Sequence, residues 1–199
     1  MKSNKRWVIS FILILVFFLI TAGALVIVVD PFLHYHKPLK SLFYSLDDTT
    51  STNDGIAKFF EYDAVITGTS MTQNFKPSEA DRLFNINSVK LPIPGAPYKD
   101  INALLKRVLS YNPKVKYIFR GLDTNMISSI EWGAPLTYPT YLYDNDIMND
   151  IHYIFNKDVV LKKCIPMLMN KFIHGKRGGG YVIAMTTIHG SQRLESCKS

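Results

Sequence analysis

From Val8 to Val29 the chain runs 22 residues without a charge. No feature narrows the possible folds more. As an α-helix it is roughly 33 Å long at about 1.5 Å per residue, enough for a hydrocarbon core of about 30 Å. Cleaved signal peptides have shorter apolar cores, of roughly 7–15 residues, ending in a small-residue site. Thr21-Ala22-Gly23-Ala24 offers small residues, but the apolar run continues through Val29, so the spacing predicts an uncleaved signal anchor. Lys2, Lys5 and Arg6 precede Trp7. The positive-inside rule then puts residues 1–7 in the cytoplasm and everything after Asp30 outside the cell, tethered by a single pass through the cell membrane. Asp30-Pro31 ends the helix, because proline disfavours helix in the residue before it.

Charge is unevenly placed. The 199 residues carry +7 in all: +3 lies in residues 1–6, +6 in residues 157–199, and −2 between them. The middle of the chain therefore lacks the clustered basic face that nucleic acid needs. Cys164 and Cys197 have no metal-ligand spacing, and two cysteines make no disulfide framework. Residues 30–61 read as a juxtamembrane connector with a polar patch from Asp47 to Asp54 and a short amphipathic helix from Gly55 to Glu61. His34 and His36 alternate beside the membrane with no third ligand nearby, which fits solvated or interfacial histidines better than a metal site.

Beyond residue 62 strand and helix patterns alternate. Tyr62 to Thr67 is a short, β-branched apolar run broken by Gly68, the pattern of a buried strand entering a tight turn. Ser70 follows it. A helix is expected from Lys76 to Phe84, with Pro77 in its first turn, and a strand from Asn87 to Ile93. A second helix is expected from Lys99 to Tyr111. Its residues Ile101, Leu104, Leu105, Val108 and Leu109 share one face. A third strand is expected from Val115 to Phe119. This βαβαβ order predicts parallel strands, right-handed crossovers and helices on both faces. The loops Gly68–Thr72, Pro94–Tyr98 and Gly121–Asn125 must then meet at the carboxyl edge of the sheet, where open α/β sheets bind ligands. Ser70 there is a nucleophile, or descends from one; the alternative is a small polar turn residue capping the next helix.

Residues 62–125 resemble the SGNH, or GDSL-type, hydrolases, and among them the membrane-anchored bacterial branch that modifies surface polymers with acyl groups. The family's first block, an apolar strand followed by Gly-x-Ser, is matched by Val65-Ile66-Thr67-Gly68-Thr69-Ser70. The resemblance implies a flavodoxin-like, three-layer α/β domain over residues 62–172. Ser70 would be its nucleophile, and the backbone N–H of Ser70 would help bind the oxyanion. Gly95 matches the glycine of the second block. The third block, Gly-x-Asn, is matched by Gly121-Leu122-Asp123, with Asp where the family has Asn. An ionised Asp123 cannot donate to an oxyanion, which leaves Asn125 or a protonated Asp123 for that role. The last block, Asp-x-x-His, finds no match: Asn149 stands three residues before His152, Lys171 before His174 and Thr186 before His189. No cofactor or metal is implied.

The rest of the chain is less regular. Tyr138 to Asn145 is a Tyr-rich loop expected to pack over the sheet, with a sugar or acyl site as the alternative. Ile147 to Phe155 and Asp158 to Phe172 read as helices, the second interrupted by Pro166, and Tyr181 to Ile188 as one strand. Gly178-Gly179-Gly180 lacks the ending of a phosphate loop. Residues 173–199 break the βα rhythm, so the reading frame is expected to be broken near there and the last strands and base lost. Three functions are compatible with these patterns. The first is a membrane-anchored serine esterase or O-acyltransferase on a cell-surface polysaccharide. The second is a non-catalytic envelope scaffold working with acyl-transfer membrane proteins. The third is a glycan receptor using the Tyr-rich loop.

Overall fold

Three short strands organise the domain. β1 (Ala64–Gly68) is buried along its whole length, as the continuous apolar run requires. In the computed structural model, which describes residues 2–46, 48–123 and 138–174, β1 lies between β2 (Ser88–Pro92) and β3 (Tyr117–Arg120). Both pairings are parallel. Ala64 sits opposite Ser88 on one side and Tyr117 on the other. The order β2-β1-β3 is that of the first three strands of a flavodoxin-like doubly wound sheet.

Helix α1 spans Lys2–Val29, α2 Thr49–Phe59, α3 Pro77–Phe84 and α4 Tyr98–Tyr111. Successive side chains of a strand point to opposite faces. Phe119 of β3 meets Phe84 of α3, with ring centroids 5.4 Å apart. Its neighbour Arg120 donates to Asn102 of α4. α3 and α4 therefore cover opposite faces, as two right-handed crossovers running in opposite directions demand. Ile101, Leu104 and Val108 of α4 are buried, whereas Leu109, expected on the same face, is 44 % exposed.

α2 begins six residues before the expected Gly55. Asp48 caps it, its carboxylate accepting from the Ser51 N–H and from the hydroxyls of Thr50 and Ser51. The polar patch is thus the start of a helix, and Ser51 to Asp54 are buried. Gly55 is required by close approach: a Cβ there would lie 2.4 Å from the Leu33 carbonyl oxygen. The connector also contributes Leu33, Leu42, Tyr44 and Leu46 to the core.

α1 stops at Val29, at the Asp30-Pro31 signal. Asp30 is fully buried and has φ +43°. Its carboxylate gathers the N–H groups of His34, Tyr35 and His36 and the Tyr153 hydroxyl. Further on lie α5 (Ile151–Ile154), a π-helical turn (Val159–Cys164) and α6 (Ile165–His174). The first helix expected here is shorter, and the second runs on through Pro166 from a π-helical turn into an α-helix. Pro166 has no N–H to give to the preceding turn, and the helix widens to a π-turn just before it. α5 and the π-helical turn pack against α1. Among the described residues, α1 is the one helix long and apolar enough to cross a membrane.

Candidate functional site

The three expected loops do meet at the carboxyl edge of the sheet. β1 ends at Gly68, and a 3₁₀ turn runs from Ser70 to Asn74. The Gly68 carbonyl accepts from Ile93 N–H at 2.9 Å, and the Thr67 carbonyl accepts from Gly121 N–H at 2.8 Å. All three strand ends are therefore tied together by backbone hydrogen bonds. Gly68 has φ +156°. A Cβ on Gly68 or on Gly121 would strike the Thr72 hydroxyl oxygen, at 2.2 and 2.5 Å. The Thr72 side chain fills the gap between the two glycines, and its buried hydroxyl has no hydrogen-bond partner among the described residues.

Ser70 is exposed at the head of the 3₁₀ turn. The first bonded N–H of that turn is Thr72, which donates to Thr69 O at 3.1 Å. The N–H groups of Ser70 and Met71 thus stand at the unsatisfied end of the turn. Gly95 sits in a turn closed by Ala96 N–H on Ile93 O. Pro94 and Gly95 occupy its centre, and the φ of +71° at Gly95 needs glycine. Gly95 is exposed with nothing within 4 Å of a Cβ position, so its face is open to a ligand.

Asp123 accepts a hydrogen bond from the Thr69 hydroxyl through its carboxylate. Its backbone N–H donates to Tyr98 Oη at 2.9 Å, and its backbone carbonyl accepts from that hydroxyl at 3.2 Å. The first, second and third loops are thus joined through Thr69, Tyr98 and Asp123. The Arg120 guanidinium lies 4.5 Å from the Tyr98 ring centroid. Beneath the 3₁₀ turn, the Lys90 ammonium donates to the carbonyl oxygens of Gln73 (2.6 Å) and Phe75 (3.0 Å). Burial lowers the Lys90 pKa, and the two carbonyls hold the ammonium where it fixes the loop that carries Ser70. Asn125 lies outside the described residues.

No histidine reaches Ser70 among the described side chains. His34 is paired with Asp150, Nε2 to Oδ1 at 3.0 Å, across 116 positions of sequence. Asp150 also accepts from Tyr35 Oη at 3.2 Å, and burial followed by this carboxylate raises the Tyr35 pKa. His36 bonds backbone carbonyl oxygens at Lys37 and Ile27, so the two connector histidines do not converge on a common point. His152 lies 6.0 Å from the Tyr141 ring. The Tyr-rich loop takes the packing alternative: Tyr138 and Tyr143 pack against the core with ring centroids 4.6 Å apart and planes tilted by 53°, and Tyr143 donates to the Thr50 carbonyl.

Thr69, Thr72, Lys90 and Tyr98 were not singled out by the sequence. Thr69 and Tyr98 lie within the three loops and were findable there. Lys90 carried a weaker signal, as a lone lysine in an otherwise apolar strand. No family model, no curated protein and no solved structure matches the chain.

Proposed function

We propose that this chain is a membrane-anchored, SGNH-like serine esterase or O-acyltransferase of the cell envelope, with α1 as the anchor, the domain outside the cell and a surface polysaccharide as substrate. The observation that carries the reading is the junction of the Ser70, Gly95 and Asp123 loops at the carboxyl edge of the parallel sheet. Ser70 Oγ attacks the acyl carbonyl carbon and yields its proton to a base. The N–H groups of Ser70 and Gly95 bear the negative charge that develops on the carbonyl oxygen. The polymer alcohol leaves with the proton, and water or a second alcohol then takes the acyl group from Ser70. Asp123 holds the loops in place by accepting from Thr69. No base for the Ser70 proton is found among the described residues, in keeping with the missing Asp-x-x-His block.

The test is acetyl-ester hydrolysis by the full chain in detergent or nanodiscs. Ser70→Ala is expected to lose activity by about 100-fold or more, with unchanged thermal unfolding. Undiminished hydrolysis in that variant contradicts the mechanism. A second reading, a non-catalytic envelope scaffold, is favoured by one specific observation: the Asp123 carboxylate is engaged by Thr69 while His34, His36 and His152 are all held elsewhere. That reading predicts polysaccharide binding without turnover.

A further inference from the structure

The segment after residue 146 has an apolar side that the domain does not use. Tyr153, Val159, Cys164 and Met167 are buried against the core. On the other side Met148 (84 %), Phe172 (82 %), Leu161 (59 %) and Met169 (54 %) face outward. A surface helix of a soluble domain places polar residues there, and a contiguous exposed apolar patch marks a partner or a membrane.

Its position beside α1 selects between these. Gly23 of α1 is packed by this segment: a Cβ there would lie 3.0 Å from Ile154 Cγ2 and 3.7 Å from the Phe155 ring. From Val8 to Gly23 the helix covers only about 22 Å. A bilayer core of about 30 Å therefore extends past Gly23, nearly to the end of α1. Whatever packs on Gly23 lies at that depth, and Phe155 is itself 48 % exposed. The same segment carries Lys157, Lys162, Lys163 and Lys171 against Asp150 and Asp158, and Asp150 is already bonded to His34 and Tyr35. Apolar side chains interleaved with lysines are the composition of an interfacial helix on an anionic leaflet.

We infer that residues 147–172 form a second membrane contact, a helical shelf seated in the headgroup–acyl boundary of an anionic phospholipid leaflet on the domain's side of α1. This rests on α1 being a membrane anchor, and it fixes the domain's orientation relative to the bilayer. The test uses the full chain with Cys164→Ala and Cys197→Ser, reconstituted in vesicles of phosphatidylcholine and phosphatidylglycerol. Single cysteines carry an environment-sensitive fluorophore: Val16→Cys in α1, Met148→Cys and Phe172→Cys in the shelf, and Glu79→Cys on the distant α3. Probes at 16, 148 and 172 are expected to be several-fold brighter than the probe at 79 and to be quenched by doxyl-labelled lipid. A lipid-quenched probe at 16 with dark probes at 148 and 172 overturns the shelf while leaving the anchor intact. Bright shelf probes that doxyl lipid does not quench mean that protein covers the face, and also overturn it. A probe at 16 that lipid does not quench removes the anchor and the shelf together.

Discussion

At the scale of single residues the decisive atom is the Asp123 carboxylate. Where the resembled family has an amide that donates, this chain has an acceptor, and a hydroxyl 54 positions away in sequence meets it. The Thr69–Asp123 bond clamps the first loop to the third. A hydrogen bond to a charged group contributes about 1.5–3 kcal/mol. Asp123→Ala and Thr69→Val are each expected to destabilise the chain by roughly that amount in urea unfolding. The double variant should fall well short of the sum, because both remove one interaction. Strict additivity would show that the two side chains are not coupled. The turns at Gly68 and Gly95 were legible from the sequence because a glycine that ends a strand acts through its own backbone. The Thr69–Asp123 and His34–Asp150 pairs were not, since nothing local announces a partner that far along the chain.

At the scale of elements the strands and α4 followed from apolar runs and helical spacing, whereas the first half of α2, before the expected Gly55, did not. Beside Ile56 and Ala57 the helix buries Ser51, Thr52, Asn53 and Asp54, which no hydrophobic pattern reveals. That burial is supported by polar partners. Asp54 accepts from Arg107 Nε at 2.5 Å and Nη2 at 3.0 Å, and Asn53 donates to the Pro92 carbonyl at 2.9 Å. The Asp54 side chain is 6 % exposed and that of Arg107 21 %, so the pair is largely shielded from water. Arg107→Met leaves the buried Asp54 carboxylate without its cation, with only the Tyr111 hydroxyl still donating to it at 3.3 Å, and is expected to cost about 3 kcal/mol, the low end of the range for breaking a buried ion pair. Asp54→Asn in that background should recover part of the loss. A change within 1 kcal/mol for Arg107→Met, on the scale of exposed pairs, would place this contact in solvent and free α2 from α4.

At the scale of the whole molecule the apolar helix and the α/β domain are one packed object. Val26 and Val29 at the end of α1 belong to the same core as Val65 and Leu91 of the sheet. The apolar length of α1 was plain from sequence. Its fusion to the domain was not, because Asp30 works through three backbone N–H groups and one distant tyrosine. If α1 is the membrane anchor proposed above, this junction ties the Ser70 rim to the end of the anchor. The claim on which this account turns is that Ser70 is a nucleophile. The direct measurement is treatment of the full-length chain, in membranes, with a fluorophosphonate, followed by peptide mass mapping. The account predicts an adduct on Ser70 that is absent in Ser70→Ala. An unlabelled Ser70 in folded protein, or equal labelling of the Ser70→Ala chain, would contradict it.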